Sequence, residues 1–220
     1  MPKPTRQERA LDTALDAHCR ALADCRRCGH VAGVRPIVSL ARRTRVMLVG
    51  QAPGRVESGG GRAFAGRAGQ TLFRWFERIG LDEQTVREQI YIGAITRCYP
   101  GPSASGRGDR VPSPAERDNC SGWLNDELRL LKPKVLIPVG RLAIERFLPK
   151  LPLDELIGRE HPISVEGRDL TAIPLPHPSG ASSWIHQSNH GFLLSRALEQ
   201  IGTRLADLGV QAGTTTRSVA

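Results

Sequence analysis

Lysine is scarce in this chain: Lys3, Lys132, Lys134 and Lys150 are the only ones among 31 basic residues, so arginine carries almost all of the +9 formal charge. No apolar run approaches the ~18 residues that a membrane-spanning helix needs, and no membrane partner is expected. The opening MPKPTRQERALD is polar with no apolar stretch behind it. It does not read as a signal peptide, and we expect a cytosolic protein. There is no Gly-x4-Gly-Lys-Ser/Thr loop and no carboxylate pair placed for metal-assisted hydrolysis. Those absences argue against a nucleotide hydrolase and against a nucleotide cofactor. The cysteines are odd in number, Cys19, Cys25, Cys28, Cys98 and Cys120. Without a secretion signal, that speaks for metal, redox or buried thiols rather than a disulfide framework.

What is present is basic. Arginine forks match phosphate oxygens and displace condensed counterions, so a polyanion is one reading of the charge, and a solvated arginine-rich surface is the other. Residues 1–45 hold ten basic and four acidic side chains. The length fits one domain, here 1–208, with 1–44 carrying an N-terminal helix and the first cysteine pair. Residues 209–220 lack apolar periodicity and are expected to be a disordered tail.

Four short β-rich runs, 45–50, 89–95, 134–140 and 170–176, end at Gly, Pro or polar turns and read as buried strands. Helical patterns cover 5–24, 69–81, 113–131, 141–148 and 189–208. The first places Leu11, Leu15, His18 and Leu22 on one face, and the third starts at Ser113-Pro114 with Glu116 completing a capping box. Strands alternating with helices predict an α/β fold with a parallel sheet covered on both faces. Ligands of such folds gather at the carboxyl ends of the strands. Two Gly- and Arg-rich stretches, 54–69 and 99–114, are expected to be flexible surface or binding loops.

Three strand ends carry distinctive residues: Gly50-Gln51 after the first, Ala94 to Cys98 after the second, and His177-Pro178-Ser179-Gly180 after the fourth. On a shared rim, Gln51 and His177 can line one pocket. Cys25-Arg-Arg-Cys28 has the bite of a metal or cluster ligand pair, with Cys98 and Cys120 as the remaining donors. Spacing alone does not choose between zinc and an iron–sulfur group, nor exclude Cys98 and Cys120 as small buried hydrophobes.

Taken in order, Gly50-Gln51-Ala52-Pro53-Gly54, the run Gly61 to Gln70 (GRAFAGRAGQ), Thr96-Arg97-Cys98, Lys132-Pro133-Lys134 and His177-Pro178-Ser179 resemble the uracil-DNA glycosylase superfamily. The resemblance runs from about residue 25 to about residue 200 and is strongest to the iron–sulfur branch, often called family 4. It implies a three-layer α/β/α sandwich with a four-stranded parallel sheet. It also implies a [4Fe-4S] cluster on Cys25, Cys28, Cys98 and Cys120, with zinc as the alternative.

By the same resemblance His177 donates a hydrogen bond to the departing base, and Phe64 stacks on it. Gln51, Ala52 and Ala94 belong to the base-binding wall, with Gln51 also near the chemistry. Ser179, Gly180 and Arg67 contact the DNA backbone, and one of Ser182, Ser183 or Trp184 wedges into the vacated stack. The expected partner is DNA containing uracil or another deaminated base, the expected state a monomer. With no lysine in the rim motifs to form a Schiff base, a monofunctional enzyme is expected. A lesion-sensing protein that binds DNA without catalysis is the other reading. The chain departs from the branch at Gln51, where Glu is usual, and at Ala94, where a base-reading Asn is usual. Ala52 stands where the best-known branch has Asp. Glu57 is then the nearest loop carboxylate, read first as a solvated charge and second as a residue that positions water.

Overall fold

A computed structural model describes residues 5–29, 33–105, 108–179, 183–187 and 190–211. Thr5 and Glu8 form a capping box that starts α1 (Arg6–Ala23), whose Leu15, His18, Cys19 and Leu22 are buried. Then come β1 (Val46–Gly50), α2 (Arg55–Gly60), α3 (Arg67–Glu77), α4 (Glu83–Gln89) and β2 (Tyr91–Ala94). Beyond them lie α5 (Pro114–Leu131), β3 (Val135–Pro138), α6 (Arg141–Phe147), α7 (Leu153–Leu156), β4 (His161–Val165), β5 (Arg168–Ala172) and α8 (His190–Asp207). The expected box of Ser113 and Glu116 caps α5, with Pro114 at its first turn.

The strands lie in the order β2-β1-β3-β5-β4. The expected four-stranded parallel sheet is thus corrected to five strands, of which β4 runs antiparallel to β5. β4 escapes an apolar-run reading because only alternate residues are half-buried and Pro162 interrupts it, both features of an edge strand. Its partner is joined through Glu166 (φ 51) and Gly167 (φ 70), positive at both positions as a two-residue type I′ hairpin requires. The three-layer arrangement is as expected. Val46 and Leu48 of β1 face a core shared with α3, α4 and α8. Met47 and Val49 face the other core, with α1, α5 and α6.

β1 pairs in parallel with β2 on one side and β3 on the other, so the chain reverses its direction of winding at β1. A crevice forms outside the carboxyl ends at such a switch point. Past β1 and β2 the pairing continues through Ile95 N–H to the Gly50 carbonyl (3.0 Å) and Thr96 N–H to the Gln51 carbonyl (3.2 Å). The 54–69 stretch is less open than expected, since α2 occupies part of it. The 99–114 stretch is folded back on itself by a Pro102–Asp109 bridge and an Arg110 N–H to Gly101 carbonyl bond of 3.0 Å.

Candidate active site and four-cysteine site

A cavity of about 580 Å³ opens in the crevice, within the range of small-ligand sites. Gln51, Ala52, Phe64, Ala94, His177 and Ser179 all line it, and Arg67 stands exposed at the start of α3 on its wall. Seven residues expected at the base or the DNA thus share one cavity, while Ile95, Thr96, Cys98 and Pro178 of the strand-end motifs do not line it, and Gly180 lies outside the described residues. Ser182 and the side chain of Ser183 lie outside them as well, as do tail residues 212–220. Trp184 stacks its indole on His190 at 4.1 Å and packs against the core.

His177 follows β5, and its ring is fixed from two sides. Ser179 N–H donates to Nδ1 at 3.2 Å, with Ser179 Oγ 2.8 Å from the same nitrogen. Gly140 supports the opposite edge: at φ +82 it adopts a conformation that favours glycine, and a Cβ there would lie 3.0 Å from His177 Cδ2. Because Nδ1 accepts a backbone bond, the neutral ring carries its proton on Nε2. Burial holds the imidazole below the usual histidine range, which favours this neutral form.

Phe64 sits in a left-handed backbone conformation (φ 52) that is uncommon for a bulky residue. Its ring lies against the end of β1, where a Cβ on Gly50 would come within 3.2 Å of Phe64 Cζ. Two neighbours maintain it. The Arg87 guanidinium donates to the Ala63 carbonyl (2.8 Å) and the Phe64 carbonyl (3.2 Å). Gly69 leaves the space that the Phe64 carbonyl fills, since a Cβ there would lie 1.8 Å from that oxygen. The aromatic is thus held by its backbone as well as by its packing.

Glu57 differs from the first reading. It is 7% exposed, not a solvated loop charge, and its carboxylate accepts Gly66 N–H at 3.1 Å. A Cβ on Gly54 would meet Glu57 Oε2 at 2.7 Å and Asp109 Oδ2 at 3.0 Å, so both carboxylates close around that glycine in the cavity wall. Local patterning did not reveal this, because Glu57 sits on α2 while Gly66 and the Asp109 loop, which close around its carboxylate, come from outside that helix.

A second, smaller cavity of about 20 Å³ is lined by Cys25, Cys28, Cys98 and Cys120 together with Leu22 and Pro36. These thiols come from the end of α1, the segment after β2, and α5. Burial first, then neighbouring Cys120, Cys25 and Cys28, push the Cys98 thiol up to about 12. Among the described residues no group of three or more His, Cys, Asp or Glu side chains is drawn together tightly enough to hold a metal ion. The donor chemistry nevertheless suits a soft centre, because four thiols share one wall, and the carboxylate that also lines the cavity, Glu116, accepts from Arg110 and the Ser113 N–H. Asn119 Nδ2 also approaches Cys28 Sγ at 3.8 Å. Cys19, on α1, is separate from these thiols and buried beside Tyr91 and Arg42.

Arg97 lies between the two cavities and lines both. It is 2% exposed and pairs through Nη2 with Glu127, which has no exposure. Tyr91 Oη donates to Glu127 Oε1 at 2.7 Å, and His18 Nε2 lies 3.3 Å from the same oxygen. Gly93 clears the path, because a Cβ there would stand 3.1 Å from Arg97 Nη2. Sequence reasoning gave Arg97 and Glu127 no role; the 30-residue separation of the pair conceals it.

A family model described as the uracil DNA glycosylase superfamily matches residues 38–199. The chain is 27% identical over 173 residues to the type-4 uracil-DNA glycosylase of Archaeoglobus fulgidus, covering 76% of this chain and 82% of that one. It is 31% identical over 136 residues to the type-4 uracil-DNA glycosylase of Thermotoga maritima, covering 62% and 65%. A type-5 uracil-DNA glycosylase of Pyrobaculum aerophilum is 29% identical over 159 residues, covering 58% of this chain and 66% of that one.

Proposed function

Because the chain belongs to the uracil DNA glycosylase superfamily, we propose that it excises uracil from DNA by hydrolysing the N-glycosidic bond, leaving an abasic site for base-excision repair. The observation that carries this reading is the neutral Nε2–H of His177 in one cavity with Gln51 and Phe64. A base must leave the duplex before its sugar bond can be reached, and a pocket with an aromatic wall receives it. Phe64 supplies that wall. As the bond breaks, negative charge grows on the base and positive charge on the sugar, so the protein has to stabilise charge rather than attack. His177 Nε2–H donates to the base O2 as the anion forms, and the turn at Gln51-Ala52 presents backbone amides to it. Glu57, fixed by Gly66, holds the water that captures the sugar cation.

No lysine lines the cavity among the described residues, which agrees with a monofunctional enzyme. Ala94 offers no polar group to the base, and about 580 Å³ leaves room for a purine. We therefore extend the substrate class to other deaminated bases, hypoxanthine and xanthine. Arg67 and Ser179, on the cavity wall, would meet the DNA backbone.

Cys25, Cys28, Cys98 and Cys120 are the residues that would hold a [4Fe-4S] cluster. When bound, the cluster supplies a covalent tie among three segments distant in sequence. Zinc, which four thiolates would hold at about 2.3 Å, is the alternative. Brown colour and iron with sulfide in the purified protein would support the cluster, and zinc without iron would refute it.

The deciding experiment incubates the protein with single- and double-stranded oligonucleotides carrying uracil, hypoxanthine or xanthine, then cleaves abasic sites with alkali. Strand scission at uracil is expected. Binding without scission from any of the three would remove the enzyme reading, and undiminished release by His177→Ala would remove the mechanism.

A further inference from the structure

Two buried polar groups beside the cysteines have no hydrogen-bond partner among the described residues. Thr96 Oγ1 and Arg97 Nε are inaccessible to solvent and unpaired, while both residues line the four-cysteine cavity. Buried donors are seldom left unsatisfied, so their partner is expected to occupy that cavity. Neither group can easily turn elsewhere. Thr96 is held at its backbone by the Gln51 carbonyl, and the Arg97 guanidinium is anchored at its far end by Glu127, itself fixed by Tyr91.

The surroundings say what kind of acceptor is missing. Asn119 Nδ2 points at Cys28 Sγ at 3.8 Å, and the Arg97 backbone N–H counters the effect of burial on the Cys120 thiol. Donors therefore approach the sulfur set from several sides, in a cavity completed by Leu22, Arg27, Pro36, Pro100 and Glu116, whose carboxylate is already engaged by Arg110 and the Ser113 N–H. Water in so small and largely apolar a space would find few partners of its own.

We propose that Thr96 Oγ–H and Arg97 Nε–H donate hydrogen bonds to sulfur atoms of the iron–sulfur cluster held by Cys25, Cys28, Cys98 and Cys120. This rests on the cluster assignment made above. Hydrogen bonds to sulfur and nearby positive charge stabilise the reduced, more negative form, so both groups raise the reduction potential. Arg97 also lines the base cavity, which would mix two effects in any variant. Thr96 lines the cysteine cavity alone of the two, and Thr96→Val removes the hydroxyl at nearly constant shape.

The test is a redox titration of purified holoprotein followed by electron paramagnetic resonance, with iron and sulfide measured on the same samples. Thr96→Val is expected to keep its iron and to titrate at a more negative potential than the parent, and Thr96→Ser, which restores the O–H, returns the potential toward the parent value. Loss of iron in Thr96→Val with retention in Thr96→Ser would equally show that the hydroxyl serves the cluster. Full iron content with an unchanged potential in Thr96→Val would overturn the proposal while leaving the cluster in place. Absence of iron from the parent protein would overturn the cluster assignment itself, so the two failures are told apart.

Discussion

What His177 can do follows from what its two ring nitrogens touch. Nδ1 is occupied as an acceptor by Ser179, so Nε2 holds the proton and is the donor offered to a ligand. Replacing His177 by Ala should slow single-turnover base release by about 10²–10³-fold, the usual cost of one lost donor to a developing anion. Ser179→Ala keeps the backbone N–H and should cost far less in the same assay. Because burial lowers the His177 pKa, base release should show no inflection at the ordinary histidine value of 6.5 and should decline only at lower pH. The stability effect has a definite sign. The unfolded chain takes up this proton near 6.5 while the folded protein does not, so the contribution is complete above 6.5 and is lost as pH falls through the folded value. Denaturant midpoints of parent and His177→Ala across that window measure it. At this scale the rim residues were legible, because strand-end positions in a parallel sheet converge by topology. Glu57 and Arg97 were not, because burial supplied by distant segments leaves no mark on neighbouring letters.

Among the elements, the turn before α3 shows how a short segment builds a binding wall. Gly69→Ala would place a Cβ on the Phe64 carbonyl, and the chain can relieve that overlap only by moving Phe64 out of its left-handed conformation or by shifting α3. We expect a loss of about 1–3 kcal/mol in unfolding free energy, the scale of backbone strain or overpacking. Weaker stacking of the base should accompany it, read as a raised inhibition constant for free uracil. The hairpin between β4 and β5 offers a control, since Gly167 (φ 70) lies in a turn rather than in the cavity wall. Gly167→Ala should destabilise by about 1 kcal/mol and leave base release unchanged. Long amphipathic helices such as α1, α5 and α8 were legible from periodicity and caps. The missed elements α2, α4, α7 and β4 are each seven residues or fewer, and elements so short are specified largely by what packs on them.

For the whole molecule, charge and the cysteine site govern behaviour. The +9 formal charge predicts DNA affinity that falls steeply with salt. Arg67, exposed on the cavity wall, is expected to contribute one phosphate contact. Arg67→Ala should then weaken binding to any sequence and reduce the slope of log affinity against log salt by about one. If the proposed cluster ties these segments, removing its iron should loosen the segment after α1, the segment after β2 and α5 around Cys120 together, since each contributes a cysteine. Limited proteolysis of oxidised and chelated protein should then cut within 24–45 and 99–113 before any site in the β-sheet. The layered architecture was legible because alternating strands and helices admit few arrangements, whereas the fifth strand depended on pairing that no local run announces.

Phe64 is held in place by Gly69 and Arg87, contacts that need no DNA. A platform assembled in advance spares an arriving base the cost of ordering it. On the stacking role proposed for Phe64, the same readiness would serve the base after its bond is cut, and free uracil would meet a finished seat. Product should therefore linger: a first turnover faster than those that follow, with the steady rate set by how quickly the enzyme lets go.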